Sequence, residues 1–266
     1  DAPEQLVADE GGLPIVLDGI RRLIPCTKQE LSTVLLPLCA WLRWLVENAG
    51  KDNSSRILVG LVGPAGAGKS TLAHMLEVLC NKSWPASSGD EIDAKQEWAI
   101  ALSMDAYHLP NAVLASGEAK GEDGAFYRLT QLKGLPLTLD AVTFAADLRR
   151  LRSREESPNP VSQTYDRVTH EPVPGRLRVT RAHRLVLVEG LHLLHRDDCG
   201  GAWTDVGACL DRIVFLNIPR DLCFERVVAR KVSQGRDRAD CERHFDRVDG
   251  PIYDRLQCAD LARADI

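Results

Sequence analysis

A run of small residues that ends in a lysine and a serine has the residue types and spacing that bind a nucleotide phosphate. It satisfies the pattern G-x-x-x-x-G-K-[ST]. The residues are Gly63, Pro64, Ala65, Gly66, Ala67, Gly68, Lys69 and Ser70, followed by Thr71. Small residues let successive backbone N–H groups point at phosphate oxygens, and a helix N-terminus adds partial positive charge. We expect Lys69 to reach the β- and γ-phosphates and Ser70 to ligate Mg²⁺.

The segments on either side of this phosphate-binding loop (P-loop, residues 63–70) have the order that the loop requires. Ile57–Val62 is a short apolar, β-branched run, typical of a buried strand. Leu72, Met75, Leu76 and Leu79 follow at helical spacing. The alternative, a glycine-rich turn that binds nothing, does not explain this strand–loop–helix context.

Two further predicted strands end in acidic residues. Residues 98–104 form an apolar run that ends at Asp105, and residues 184–188 form another that ends at Glu189. Ligands of parallel sheets bind beyond the carboxyl ends of the strands. We therefore expect Asp105, at the tip of a strand beside the P-loop strand, to accept a hydroxyl proton or hold Mg²⁺ through water; a helix N-cap is the alternative. Glu189 is expected to organise Mg²⁺.

Arginines follow the fourth predicted strand, residues 212–218. Residues 221–232 have a helical pattern that places Arg226 and Arg230 on one face, and Arg236 comes shortly after. Arginines that face one way beyond a core strand suit a lid over a transferring phosphate. An exposed helix with its own salt bridges is the alternative.

Other patterns are weaker. The Pro-rich loop 158–175 contains Tyr165, Arg167 and His170, which are residue types that bind substrates from loops. Residues 116–124 are expected to form a mobile loop. Histidines at 192 and 195, with Asp197 and Cys199, match the spacing of no standard metal site.

Composition limits the class of protein. The 266 residues are 44% hydrophobic and 27% charged, which suits one large α/β domain or two small ones. A net charge of −5 argues against a nucleic-acid-coating protein. Eight scattered cysteines without C-x-x-C predict free thiols and a cytoplasmic protein, with an organelle as the alternative. The most apolar run, residues 31–42, is too short for a membrane span. Because the chain begins at Asp1, its N-terminus is expected to be processed or truncated.

The residues before the P-loop strand predict a helical extension. Residues 13–24 have apolar residues at helical spacing, Thr27 and Glu30 form a capping-box pattern, and Pro37 is expected to break or restart the next helix. We therefore divide the chain into a helical extension, residues 1–50, packed on a second unit, residues 51–266.

Taken in chain order, the motifs resemble the P-loop kinases that include uridine kinase, pantothenate kinase, phosphoribulokinase and glycerate kinase. The resemblance extends from about residue 56 to the end of the chain. It rests on GPAGAGKST, SMDAYH, KGLP with Asp140, YDRVTHEPVPG, LVLVEG and RVVARKVSQGRD. It implies an α/β fold with a parallel sheet flanked by helices and an Arg-bearing lid. The N-terminal extension is similar to that of the less characterised branch related to glycerate kinase.

The resemblance implies transfer of the γ-phosphoryl group of ATP, with Mg²⁺, to a hydroxyl group of a small molecule. Asp105 would orient and deprotonate the hydroxyl, while Ser70 and Glu189 would hold Mg²⁺. The cations that would neutralise the γ-phosphoryl oxygens are Lys69, Arg226 and Arg230. The resemblance requires neither nucleic acid nor membrane, and the protein is expected to be a monomer or homodimer.

The implied acceptor residues are Tyr107, His108, Arg128, Lys133, Tyr165, Arg167 and His170. Tyr165 and His170 match positions where uridine kinase holds its nucleoside. That enzyme has an aromatic residue two positions after the matching tyrosine, where this chain has Arg167, a cationic bidentate donor. Arg128 and Lys133 add positive charge, so a sugar acid, polyol or related anionic metabolite is favoured.

Two alternatives remain from the sequence. One is a uridine/cytidine kinase. The other is an ATP-binding regulatory or assembly protein that hydrolyses ATP slowly and docks a partner through the N-terminal helices.

Overall fold

The computed structural model describes residues 11–17, 19–49, 56–82, 97–121, 124–152, 164–166, 169–174, 177–196, 201–257 and 264–266. The strands are β1 (Leu13–Leu17), β2 (Ile20–Ile24), β3 (Ile57–Val62), β4 (Ala99–Ser103), β5 (Glu118–Lys120), β6 (Phe126–Arg128), β7 (Thr164–Asp166), β8 (Glu171–Val173), β9 (Leu185–Gly190) and β10 (Arg212–Phe215). The helices are α1 (Leu36–Glu47), α2 (Lys69–Lys82), α3 (Asn111–Ser116), α4 (Ala141–Arg152), α5 (Ala202–Ala208), α6 (Arg220–Ser233), α7 (Arg238–His244) and α8 (Gly250–Arg255).

A parallel sheet of four strands, in the order β10–β3–β9–β4, forms the centre of the fold. These are the four strands predicted from the sequence, so the α/β P-loop fold is confirmed. The prediction that β3 and β4 are neighbours is wrong, because β9 lies between them and pairs with both. As a result Glu189 is in register with Leu61 on one side and with Ser103 on the other.

Apolar side chains cover both faces of the sheet. One buried cluster joins sheet residues to Phe144 and Leu148 of α4 and to Ile252 of α8. The second cluster joins the other face to α2 and to the N-terminal segment, through Leu76 and Leu42 among others. Burial on both faces explains why β3 and β9 are almost continuously apolar.

The helix predicted over residues 13–24 is wrong. β1 and β2 form an antiparallel hairpin, with Leu13 opposite Ile24 and Leu17 opposite Ile20. The hairpin signal is the Asp-Gly pair at 18–19, and Gly19 has a φ of +76°, which suits glycine at a tight turn. The boundary expected at residue 50 lies outside the described residues, and the division into two units remains a prediction.

The helical segment after the hairpin begins as its capping box predicts. The Glu30 backbone N–H donates to Thr27 Oγ1 at 3.1 Å, and the Thr27 N–H donates to Glu30 Oε2 at 2.8 Å. Pro37 lies in the first turn of α1, which restarts there as expected, directly after a π-helical segment, Leu31–Leu35, whose end is closed by the Leu36 N–H on the Leu31 carbonyl. Wide turns of this kind relieve the clash that proline causes inside a helix.

Two of the predicted loops contain short hairpins. The loop expected at 116–124 includes β5, which pairs with β6, and the Pro-rich loop includes β7 and β8. Beside β10, Asp265 and Ile266 form backbone hydrogen bonds with Ile213 and Phe215.

The described cysteines are Cys26, Cys39, Cys80, Cys209, Cys223 and Cys241, and all are free thiols. Within the described part of the chain, no helix has the length and apolar character needed to cross a membrane.

We expect the N-terminal hairpin to contribute to the stability of the whole fold. Ile15 is 1% exposed, whereas its neighbour Val16 is 57% exposed. Ile15→Ala should therefore lower the free energy of unfolding by about 2–4 kcal/mol, and the control Val16→Ala by less than about 1 kcal/mol. Denaturant unfolding of both variants measures the difference, and equal small effects would show that the hairpin is not part of the core.

Candidate active site

The P-loop leaves β3 at Gly63 and leads directly into α2. Gly66 has a φ of +82°, and a Cβ atom there would lie 2.6 Å from the Cys223 carbonyl oxygen of α6. A glycine is therefore needed for α6 to approach the loop this closely. The Leu72 N–H closes the first turn of α2 on the Gly68 carbonyl at 2.9 Å. The N-terminus of α2 is thus in place to face an anion.

Lys69 lies at the centre of the charged residues of the site. Its ammonium is buried and donates to the Pro64 carbonyl at 2.9 Å. Burial lowers the pKa of Lys69, the carboxylates of Glu189 and Asp105 oppose this shift, and Arg230 adds to it. Because β3, β9 and β4 are parallel neighbours, Asp105, which follows β4, lies at the same sheet edge as the P-loop, which follows β3.

Glu189 connects the P-loop to the end of β4. The Ser70 hydroxyl donates to Glu189 Oε1 at 3.0 Å, and the Ser103 hydroxyl donates to the same oxygen. Ser103 Oγ also accepts from the Asp105 N–H at 3.2 Å, which fixes the 3₁₀ turn Met104–Tyr107. Ser103 is a residue that the sequence interpretation missed.

The oxygen atoms of Ser70 and Glu189 fit Mg²⁺. Hard oxygen donors suit this ion, which usually takes one or two protein ligands and completes its shell with phosphate oxygens and water. Among the described residues no group of three or more His, Cys, Asp or Glu is placed to hold a metal by itself. His192 and His195 are therefore not part of such a group among the described residues. Asp197 and Cys199, which lie near them in the sequence, are outside the described residues.

A group of aromatic and basic residues lies next to Asp105. It begins with His108, three residues after Asp105 in the chain. His108 Nε2 is 3.7 Å from Asp105 Oδ1. The Tyr165 ring lies 5.4 Å from the His108 ring and 6.3 Å from the His170 ring, centroid to centroid. Lys133 Nζ lies 5.5 Å from the Tyr165 centroid. We call these four residues, His108, Lys133, Tyr165 and His170, the acceptor group.

Lys133 holds the turn of the β7–β8 hairpin. Its ammonium donates to the His170 carbonyl at 2.7 Å and to Asn111 Oδ1 at 2.8 Å. Burial lowers the pKa of Lys133, while Glu171 and Asp105 oppose the shift. His170 has a φ of +55°, an uncommon conformation for a residue other than glycine, so the turn depends on such contacts.

Asn111 and Glu171 complete this network and were not predicted. The Asn111 N–H lies 3.1 Å from both carboxylate oxygens of Glu171, and its side-chain amide donates to the Thr169 carbonyl at 3.1 Å. Only their position next to predicted motifs could have suggested them.

The lid arginines approach the P-loop from α6. Arg226 Nη1 donates to the Gly66 carbonyl at 3.4 Å, and the charge of Arg230 acts on Lys69. After α6, Arg236 lines a cavity of about 450 Å³ together with Arg243, His244 and Arg247. Thr130 and Gln131, which come shortly before Lys133 in the chain, line the same cavity. Arg236 also contributes to lowering the pKa of Lys133.

Two predicted acceptor residues, Tyr107 and Arg128, are not brought to this group. Tyr107 is 2% exposed, its ring packs on Phe144 and its hydroxyl donates to Asp147. We therefore assign Tyr107 to the core, whereas the next residue, His108, lies beside Asp105. Arg128 is exposed and pairs with Glu118 at 3.4 Å. Arg167 lies outside the described residues.

Comparisons with known proteins agree with this geometry. A family model described as the phosphoribulokinase/uridine kinase family matches residues 58–266. The uncharacterized protein YggC of Escherichia coli is 29% identical over 244 residues, which is 92% of this chain and 90% of that protein. A pantothenate kinase of Nocardioides sp. is 29% identical over 217 residues, 72% of this chain and 58% of that protein.

A solved structure shares the fold. The crystal structure of a candidate fructose transport system kinase from Silicibacter sp. superposes with a TM-score of 0.64 at 24% identity, covering 84% of this chain and 94% of that one. At this identity the likeness concerns the fold alone. The narrower resemblance to the glycerate-kinase branch stays a prediction.

The oxygen pair at Ser70 and Glu189 leads to a test by metal removal. Glu189→Gln should weaken binding of a non-hydrolysable ATP analogue about 10-fold in Mg²⁺, because a charged ligand is lost, but leave binding in excess EDTA unchanged. Titration calorimetry measures both affinities. Glu171→Gln, in the β7–β8 hairpin, is the control and should keep the normal Mg²⁺ effect; equal losses with and without Mg²⁺ would contradict the assignment.

Proposed function

Because this chain belongs to the phosphoribulokinase/uridine kinase family of ATP-dependent kinases, we propose that it transfers the γ-phosphoryl group of ATP to a hydroxyl group of a small molecule. The observation that carries the proposal is the position of Asp105. Its backbone N–H donates to Ser103 Oγ, whose hydroxyl shares Glu189 Oε1 with Ser70 of the P-loop helix. Its carboxylate lies 3.7 Å from His108 Nε2 of the acceptor group. An alcohol that binds there would meet a base on one side and a triphosphate on the other.

In the proposed reaction the acceptor oxygen attacks the γ-phosphorus while Asp105 takes the hydroxyl proton, and the bond to the β-phosphate oxygen breaks to release ADP. Ser70 and Glu189 would hold Mg²⁺, which would supply charge neutralisation at the phosphates. Lys69 and the lid arginines stabilise the charge that spreads over the γ-phosphoryl oxygens. Ser103 keeps Asp105 and Glu189 in fixed relative positions.

We propose an anionic acceptor, such as a sugar acid or a related phosphorylated or carboxylated polyol. Arg128 is exposed and Arg167 lies outside the described residues, so neither arginine carries this proposal. The proposal is supported by Lys133 and by the cavity lined by the preceding residues Thr130 and Gln131, where Arg236, Arg243 and Arg247 outnumber the acidic lining residues Asp237 and Asp240. Clustered guanidinium groups bind carboxylate and phosphate in a bidentate manner.

A uridine/cytidine kinase is the alternative that one observation favours. The Tyr165 ring lies 5.4 Å from the His108 ring and 6.3 Å from the His170 ring, an aromatic arrangement that suits a planar base. The free thiols support the proposed cytoplasmic location. The proposal requires no nucleic acid or membrane, and the protein would act as a monomer or homodimer.

Removing the proposed base tests the reaction itself. Asp105→Asn should fold normally and bind the ATP analogue, and it should lose about 10²–10⁴-fold in phosphotransfer because general-base catalysis is lost. A coupled ADP-release assay measures the rate, and Asp246→Asn, at an exposed position, is the charge-matched control. Full activity in the Asp105 variant would remove this residue from the mechanism.

A panel of acceptors tests the substrate class. In an ADP-release assay with sugar acids, phosphorylated polyols, neutral sugars, pantothenate and nucleosides, the anionic polyols should give the fastest turnover. For the best acceptor, Arg236→Met should raise KM about 10-fold or more with little change in kcat, since a charge-assisted contact is lost. Arg238→Met, at an exposed residue paired with Glu242, is the control. Turnover with uridine or cytidine alone would establish the alternative.

A further inference from the structure

A buried histidine connects the loop after β9 to the turn that carries Lys133. His192 follows Glu189 by three residues and is 4% exposed. Its Nε2 lies 2.7 Å from the Gly134 carbonyl oxygen. A carbonyl only accepts, so Nε2 carries the hydrogen and donates it. The catalytic roles proposed above do not use this side chain.

The surroundings of His192 keep its ring in one orientation. The Trp203 ring lies 5.4 Å away and the His195 ring 5.9 Å away, both edge-on. Burial lowers the pKa of His192 to about 3, so the ring stays neutral and keeps one N–H at any ordinary assay pH. The donor is therefore permanent.

The turn that accepts this hydrogen bond is also held from its other side. The Gly134 N–H donates to Thr138 Oγ1 at 3.1 Å, and the Leu135 N–H donates to the Leu132 carbonyl at 3.0 Å. The backbone next to Lys133 is thus fixed at both its N–H and its carbonyl. The Lys133 ammonium in turn holds the β7–β8 turn through the His170 carbonyl.

We infer that His192 is a positioning residue that sets the acceptor group by fixing the backbone beside Lys133. It touches neither ATP nor acceptor in this assignment, and it acts through Gly134 and Lys133 on the strained turn at His170. His192 lies in the loop directly after β9, the strand that carries Glu189. The acceptor group and the proposed Mg²⁺ side are therefore both held from β9 and the loop that follows it. The inference rests on the proposed function for the identity of the acceptor side, whereas the hydrogen bonds that connect His192 to the turn at His170 are independent of it.

Two variants separate the donor from the shape of the ring. His192→Phe keeps a flat ring and removes the N–H, whereas His192→Gln places an amide N–H close to the position of Nε2. Hydrogen–deuterium exchange of the full chain is followed in the peptides that cover residues 132–138 and 164–174. We expect at least about fivefold faster exchange in both peptides for His192→Phe and exchange within about twofold of the wild type for His192→Gln.

Binding of the ATP analogue with Mg²⁺ provides the second measurement. Its affinity should stay within about twofold in both variants. With the best acceptor of the panel, His192→Phe should raise KM about 10-fold and leave kcat within about threefold, and His192→Gln should restore KM. Exchange in the 164–174 peptide that does not respond to His192→Phe would overturn the inference, whatever the panel shows, because this measurement needs no acceptor.

If His192→Phe does not fold, Lys133→Met tests the same connection by removing the hydrogen bond from Lys133 to the His170 carbonyl. Faster exchange in the 164–174 peptide then supports the inference, and unchanged exchange overturns it.

Discussion

The Glu189 carboxylate is the group on which the rest of the site depends. Hydroxyl groups from two different parts of the chain, Ser70 and Ser103, donate to a single one of its oxygens. One belongs to the P-loop helix and the other caps the turn of Asp105. This convergence is possible because β9 lies between β3 and β4, so that the carboxyl ends of three strands meet at one edge. The position of the proposed base relative to the P-loop thus depends on strand order.

The sequence predicted those parts of the fold that depend on local pattern. The four sheet strands were predicted because burial on both faces requires continuous apolar runs, and the P-loop because its chemistry allows few residue types. Residues 13–24 were misread since short apolar stretches suit helix and strand alike, although Asp18-Gly19 carried the hairpin signal. Strand order could not be predicted, because it is decided by contacts between segments far apart in the chain.

The candidate site shows the same division between local and long-range information. Ser70, Glu189 and Asp105 were predicted, since each lies at a strand end or in a motif. Which of two adjacent residues faces the site was not predictable: Tyr107 enters the core and His108 lies beside Asp105. Asn111 and Ser103 are ordinary polar residues, and their importance comes only from the partners that the fold gives them. Side-chain contacts of this kind follow from tertiary packing.

The second hydrophobic cluster has a practical consequence for how fragments of this protein are chosen. It contains Ile15 and Leu42 from before the family match together with Leu76 and Leu79 of the helix that follows the P-loop. An expression fragment cut where the match begins, at residue 58, would divide this cluster and uncover one apolar face of the nucleotide-binding helix. Such a fragment would be prone to self-association, and a loss of activity in it would report misfolding rather than the removal of a regulatory segment.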